Sequence, residues 1–368
     1  MCVRFVDAQT KANPQTGYSW AEAYASPSLA LTSVHWSKPC QFWVRAGTYS
    51  DAIATVTSHA LYGGFAGTEQ SLSERDPKTN LVVFSGGLGG GATIDGVKLI
   101  NNTLYSSGNG MDDTERFLTL RHVTLSGAQV AAYNVRVLIE DSNVAGIYRA
   151  IRASMGADLT VRRSRITGVS GSALAISSGA TAVVEDSLFI DSSFNDAGVF
   201  DVQDGKLDLI NSVVAQNQAT MSFSPIFSVK PGVVTISNST IVDNTTKSGL
   251  QVGPAVVISG ASDVQVINSI LWANSGPVLT PVNAPLIIRS SIVQGGFTGT
   301  GNLSAAPTFV GIGSDPYRLA ASSNGIDAAD GDRAPSHDLM GAARFDAPVT
   351  NTGSGIPSYA DMGAYEWH

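Results

Sequence analysis

Charge is scarce in this chain. Lys, Arg, Asp and Glu make up 14% of 368 residues, against about a quarter in most soluble domains. The little there is leans acidic, 22 basic against 30 acidic side chains for a net charge of −8. Nucleic-acid binding needs clustered Lys and Arg, so no nucleic acid is expected as a partner. Two cysteines, Cys2 and Cys40, exclude a disulfide-dense scaffold. No apolar run reaches the ~18 residues of a membrane span. No charged and apolar leader opens the sequence either: Met1 and Cys2 run straight into the strand-like VRFVD, so no export signal is expected in it. The five histidines, His35, His59, His122, His337 and His368, show no metal-binding spacing. His122 reads as a turn residue. GGLGGGA at 86–92 lacks the Lys-Ser/Thr that holds phosphate, so it reads as a flexible turn. No Gly-x-Ser-x-Gly elbow is present.

What is present is a repeat. The composition is 43% hydrophobic with 38 glycines, enough to bury a core and suited to short strands and turns. From about residue 116 the phrase apolar-x-x-Ser-x-apolar returns at Val123 (in the Ser position), Ser142, Ser164, Ser187, Ser212, Ser239, Ser269 and Ser291, in steps of 19, 22, 23, 25, 27, 30 and 22. Such steps suit one turn of a coiled sheet, three short strands and three turns. Before the anchors stand Asp141, Arg163, Asp186, Asn211, Asn238, Asn268 and Ser290; five residues after come Ser192, Asn217, Asn244 and Asn274. Stacked coils lie about 4.8 Å apart, so these positions form two polar ladders in which Asn side chains bond to their neighbours above and below. Val144, Ile166, Phe189, Val214, Ile241, Leu271 and Val293 form the apolar column beside them. An antiparallel sandwich would not keep these offsets. A second strand set, AIRAS, ALAISSG, VFDVQDG, PIFSVKPG and AVVISG, ends near Gly156, Gly179, Gly205, Gly232 and Gly260 and supplies the third side. The expected fold is all-β, a right-handed single-stranded parallel β-helix.

Its ends need caps, because a terminal coil exposes both apolar interior and open strand edge. The strand Cys2 to Asp7, a short helix in SWAEAYASPSLALTS and the strand QFWVRAGTY supply the first. Cys2 and Cys40 each open a strand. A bridge, two buried thiols and a lipidated Cys2 remain open readings, the bridge suiting an exported protein. The expected organisation is one elongated domain: cap and first coil in 1–79, regular coils in 80–300, closing segment in 301–368.

FVDAQTKANPQTGYSWAEAY, FWVRAGTYSD, LYGGFAGTEQSLSERDPKTN and VVFSG near the start, with PTFVGIGSDPYRLAASSNGIDAADGD and the final DMGAYEWH, carry a resemblance. The chain resembles the pectate-lyase-like parallel β-helix proteins of bacterial surfaces and secretions, including those similar to polymorphic outer-membrane proteins, with their GAYE-type C-terminal closing module. The resemblance implies a secreted or cell-surface protein. It implies no particular reaction, since that group mixes enzymes and adhesins.

Enzymes of this fold that act on polyuronates use a groove beside one strand face, with acidic groups and an Arg or Lys base. The outward positions of the second strand set are Arg152 and Ser154, Ala175 and Ser177, Asp201 and Gln203, Ser228 and Lys230, Val257 and Ser259. Arg152, Asp201 and Lys230 carry the charges of this array and are the candidate catalytic residues. Asp201 and Lys230 are expected on adjacent coils, close enough to interact. Ser177, Gln203 and Trp272 are candidate substrate contacts. Facing carboxylates for hydrolysis are not evident, nor are three carboxylates for a calcium-dependent lyase; Asp204 and Asp208 read as solvated. Asp327, Asp330 and Asp332 in IDAADGD are candidate calcium ligands by oxygen density alone; no other cofactor is expected.

The outward residues of the anchor strands begin polar, Asn143, Ala145, Arg165 and Thr167. They then turn apolar over four coils: Leu188, Ile190, Val213, Ala215, Thr240, Val242, Ile270 and Trp272. Such a face needs cover. The 68-residue tail from Gly301 is the expected cover, a homo-oligomer contact the second reading and a sugar platform around Trp272 the third. Two functions follow: recognition or processing of an extended polysaccharide (a polysaccharide lyase or glycoside hydrolase if an enzyme), or a non-enzymatic adhesin or structural spike.

Overall fold

The computed structural model describes residues 2–35, 37–55, 58–107, 117–195, 198–221, 226–250, 256–258, 262–276, 279–281 and 285–368. Ser259 and Gly260 lie outside them, as does any account of the Val257 side chain. The chain packs as two compact units, Met1–Leu159 and Thr160–His368. In both, each turn of the chain lays one short strand on each of three parallel sheets, the architecture of a right-handed parallel β-helix.

In the first unit, sheet 1 runs through Cys2–Val6, Cys40–Arg45, His59–Phe65, Thr93–Asp95, Phe117–Arg121 and Arg136–Glu140. Sheet 2 holds Gly47–Tyr49, Val82–Phe84, Lys98–Ile100, Thr124–Ser126 and Asn143–Ala145; sheet 3 holds Ile53–Thr55, Leu88–Gly90, Thr103–Ser107, Gln129–Tyr133 and Ile151–Ser154. Cys2 and Cys40 stand opposite each other in register and form a disulfide. The helix between their strands is shorter than expected, Pro27–Thr32. Ser26 caps it by accepting from the Leu29 amide, and proline opens its first turn. Leu88–Gly90 corrects a second expectation. The glycine-rich stretch is not a turn but a strand paired with Ile53–Thr55 and Leu104–Tyr105, because the ladder uses backbone groups and the one inward position is filled by buried Leu88.

The second unit repeats the plan. Its sheet 1 contains Thr181–Glu185, Gly205–Ile210, Gly232–Ser237, Ser262–Ile267 and Leu286–Arg289; its sheet 2 contains Arg165–Thr167, Leu188–Ile190, Val213–Ala215, Thr240–Val242, Ile270–Trp272 and Ile292–Val293. Its sheet 3 contains Leu174–Ser177, Phe200–Gln203, Phe227–Val229, Val256–Ile258 and Leu279–Pro281. Phe200 and Phe227 stack inside at 4.7 Å, with Phe189 also 4.7 Å from Phe200.

The corner between sheets 1 and 2 explains the repeat. The residue before each anchor is left-handed, with φ from 43° at Asn238 to 53° at Asn268 across the second unit. Asn and Asp tolerate this conformation best, which accounts for their frequency there. The anchor serine then caps the corner. Each hydroxyl donates to the carbonyl two residues back, as Ser187 does to Glu185 and Ser212 to Ile210, and accepts the anchor amide of the preceding coil, as Ser212 accepts Ser187 N at 3.2 Å. The continuous ladder at this corner is therefore serine. The Asn column before it is bonded between side chains at Asn268–Asn238 (3.2 Å) and Asn211–Asp186 (3.3 Å). At the second ladder Asn217 donates to Asn244 (2.9 Å) and Asn244 to Asn274 (2.8 Å), all buried, as the spacing predicts. Of the glycines that follow the sheet 3 strands, Gly156 and Gly179 adopt positive φ. Gly205 and Gly232 serve a different need: a Cβ there would stand 2.7 Å from Ile176 and 2.8 Å from Val202.

The tail covers the apolar face of the second unit. Val213, Ala215 and Val242 pack beneath Tyr317, Ala364 and Tyr365, and Ile270 and Ile292 beneath Leu319, Ile326 and Met362. Val242 is 1% exposed, while Ile190 and Trp272 remain half-buried at the margins. The tail, the expected cover of this face, thus packs over it from within the chain. The Asn column supplies the polar seam. Asn211 donates to His337 O, Asn238 to Asp361 O and Asn268 to Asp330 O, while Asn268 Oδ1 accepts Asp330 N.

Candidate functional site

Sheet 3 of the first unit carries two tyrosines and an arginine on its outer face. Gln129–Tyr133 pairs with Thr103–Ser107 on one side and Ile151–Ser154 on the other, which puts Tyr105, Ala131 and Arg152 in one lateral row and Ser107, Tyr133 and Ser154 in the next. The Tyr105 and Tyr133 rings lie 5.1 Å apart at 34°, and the Arg152 guanidinium stands 5.8 Å from the Tyr133 ring. Tyr105 is half exposed and Arg152 exposed. Ala131, small and buried, lies between them in the row and leaves a shallow floor. Two neighbouring rings with apolar surface and phenol hydroxyls, beside a fork-shaped cation, can pack against a pyranose and bind a carboxylate at once.

The other expected residues fall in the second unit. Asp201 pairs in register with Ala175 and Ser228, and the Gln203 amide donates to both of its carboxylate oxygens at 3.1 and 3.0 Å. Lys230 follows the next strand, exposed, its backbone amide donating to Val202 O. Ser177 is in register with Gln203. Ser228, expected on the open face, is buried at 1% with its hydroxyl unpartnered. Asp204 is a left-handed turn residue, and Asp208 pairs with Lys206 at 2.8 Å. Trp272 packs against the tail cluster.

The aspartates of IDAADGD have separate tasks. Asp327 is fully buried, accepts the Ala347 amide at 3.5 Å, and has Oδ2 unpartnered. Asp330 lies 3.6 Å from Arg333, and Asp332 accepts the Ile356 amide. Among the described residues no group of three or more His, Cys, Asp or Glu could hold a metal ion. Asp327 alone of the three belongs to a buried acidic knot that closes the tail. Asp361 accepts Asp327 N and Trp367 N, both at 2.7 Å, and Glu366 pairs with buried Arg344 at 2.7 Å. Burial, then the Glu366 charge, push Asp361 up to about 8; burial pushes Asp327 up to about 6.

A group the repeat does not announce lies in the first unit. His122 does occupy a left-handed corner, as expected of a turn residue, but its Nδ1 lies 3.0 Å from Oδ1 of buried Asp95. The other Asp95 oxygen takes Arg75 Nη2 at 2.9 Å. Neither Asp95 nor Arg75 belongs to the anchor or ladder positions, and the three come from separate stretches of chain.

No family model matches the sequence, and no curated protein matches it. Among solved structures, the crystal structure of pectate lyase Pel9A is similar, with a TM-score of 0.57 and 14% identity over 100% of this chain and 97% of that one. At that identity the likeness establishes the parallel β-helix and nothing of the chemistry. No described helix is long and apolar enough to cross a membrane.

Proposed function

We propose that the protein binds an extended acidic polysaccharide on the outer face of sheet 3 in its first unit, outside the cell or at its surface. The observation that carries this reading is the Tyr105–Tyr133 pair with Arg152 beside it. The rings supply stacking surface, the guanidinium pairs with a uronate carboxylate, and successive strands set contacts at steps of about 4.8 Å. That the resembled structure is named a pectate lyase favours a polymer of this kind. The Cys2–Cys40 disulfide suits an oxidising compartment.

Titration calorimetry against acidic and neutral oligosaccharides tests the reading. Tyr133→Ala is expected to weaken binding of the acidic series about tenfold or more, and Arg152→Ala to erase the preference for acidic over neutral ligands. Equal binding by wild type and both variants would place the site elsewhere. Absence of binding to every member of the panel would favour the alternative, a structural spike.

A further inference from the structure

The segment around Arg75 to Leu81 folds against sheet 2 of the first unit and walls a cleft of about 1170 Å³ with His122 in its lining. The wall is built. Pro77 sits where a Cβ on Gly64 would come within 2.7 Å of it, and Gly64 is held at φ 97°. Asp76 N donates to Gly64 O at 2.7 Å and Arg75 Nη1 to Gly63 O at 3.2 Å. Asp76 is spent on its own turn, accepting the Lys78 and Thr79 amides and the Thr79 hydroxyl.

The charges around His122 leave its imidazole with one defined task. Asp95, Arg121 and Glu140 stand in register at the ends of three successive sheet 1 strands. Arg121 pairs with Glu140 at 2.9 Å and Arg75 with Asp95, so two guanidiniums already balance two buried carboxylates. The remaining charged groups lining the cleft are Lys78, Asp76 and Asp141. An Asp95 carboxylate can only accept, so Nδ1 carries a proton, and in the neutral imidazole Nε2 is then the nitrogen with the lone pair. The His122 side chain is 51% exposed, so that lone pair is accessible. A buried carboxylate orienting one imidazole nitrogen while the other is free is the arrangement of a general base.

We propose that this cleft is a second site, hydrolysing acyl esters carried on carbohydrate, with His122 as the catalytic base and Asp95 and Arg75 as positioning residues. The carbohydrate part rests on the binding function proposed above. Ester hydrolysis is the reaction that fits, because glycoside hydrolysis needs two available carboxyl groups and, with Asp76 and Asp95 committed, the cleft can supply at most one, Asp141. Nε2 takes a proton from water as the water oxygen bonds to the acyl carbon. The tetrahedral intermediate, for whose oxyanion Lys78 and Asn143 are the candidate donors among the lining residues, collapses with cleavage of the acyl carbon–sugar oxygen bond. The proton on Nε2 passes to the departing sugar oxygen, leaving a carboxylic acid and a free hydroxyl.

The full-length chain is assayed with 4-nitrophenyl acetate and with O-acetylated hexuronate oligosaccharides, measuring nitrophenolate and acetate release. His122→Ala and His122→Gln are each expected to lose about 100-fold or more in kcat at unchanged Tm. Asp95→Asn is expected to lower kcat and distort the pH–rate profile while leaving KM near wild type. His122-dependent hydrolysis of the small ester by a chain that binds no oligosaccharide in calorimetry would retire the polysaccharide face and keep this site, so the two readings fail separately. Wild-type rates no higher than those of the His122 variants, where the other four histidines supply the background, would overturn the proposal. Release of acetate from the small ester alone would overturn its carbohydrate part.

Discussion

Adding one methyl group at Gly363 should unseat the tail of the second unit. Gly363 lies on the seam, its amide donating to Asn268 O at 2.8 Å while the next amide, Ala364, donates to Thr240 Oγ1 at 3.0 Å. Its φ is 98°, and a Cβ there would stand 2.8 Å from both Ile270 Cδ1 and Thr240 Oγ1. Gly363→Ala therefore incurs backbone strain of about 1–2 kcal/mol. It also forces apart two hydrogen bonds worth about 1 kcal/mol each. Lifting the segment further re-exposes part of Ile270 and Val242, each worth about 1.5–3 kcal/mol when buried. The expected destabilisation is about 5 kcal/mol, or 10–20 °C in Tm at about 2–4 °C per kcal/mol. Gly341→Ala is the matched control. Its φ is 82°, yet nothing lies within 4 Å of the added Cβ, so strain alone should cost about 1 kcal/mol. Calorimetry with limited proteolysis and intact mass separates the two: Gly363→Ala should be cut after residue 300 far faster than wild type or Gly341→Ala. Equal Tm and equal proteolysis for both glycine variants would refute the reasoning that the tail is held by close packing at this seam.

The buried acids make the same segment sensitive to alkali. Asp361 and Asp327 are raised to about 8 and about 6, above the unfolded carboxylate range, so their contribution is present in full below about pH 4 and is lost as pH rises through the folded values. Protection of the tail amides in hydrogen exchange, corrected for intrinsic rate, should fall between about pH 5 and pH 9; protection that holds or grows across that window would contradict the assignment. Asn244→Ala should cost about 4 kcal/mol in thermal unfolding, because it removes one buried hydrogen bond each from Asn217 N, Asn217 Nδ2, the Val214 carbonyl and Asn274 Oδ1. A loss under about 1 kcal/mol would mean the ladder is ornamental.

The parallel coil was legible because a stacked fold forces like residues to like positions. Ser187, Ser212 and Ser239 recur since each must cap the coil beside it, and Asn217, Asn244 and Asn274 recur since each bonds the next. The apolar run from Leu188 to Trp272 announced its cover for a similar reason: four coils of outward hydrophobic residues have to be buried by something. Which polar column carried the continuous ladder was harder to read, because serine and asparagine both repeat and only geometry shows that the left-handed Asn residues, bonded to one another at intervals, also bond the tail backbone. The strand Leu88–Gly90 was hidden because glycine contributes no side-chain period. Arg75, Asp95 and His122 were hidden for a different reason. Each looks like an ordinary turn or strand-end residue, and they meet through the folding of separate loops onto one corner, which no spacing along the chain records.

The central claim, that Tyr105, Tyr133 and Arg152 form a carbohydrate-binding face, is tested most directly by oxidative footprinting with and without an acidic oligosaccharide. The account predicts protection of the Tyr105 and Tyr133 rings, while half-exposed Tyr148 outside the strand rows is unchanged. Unaltered oxidation at both rings under saturating ligand, with protection appearing elsewhere, would contradict it.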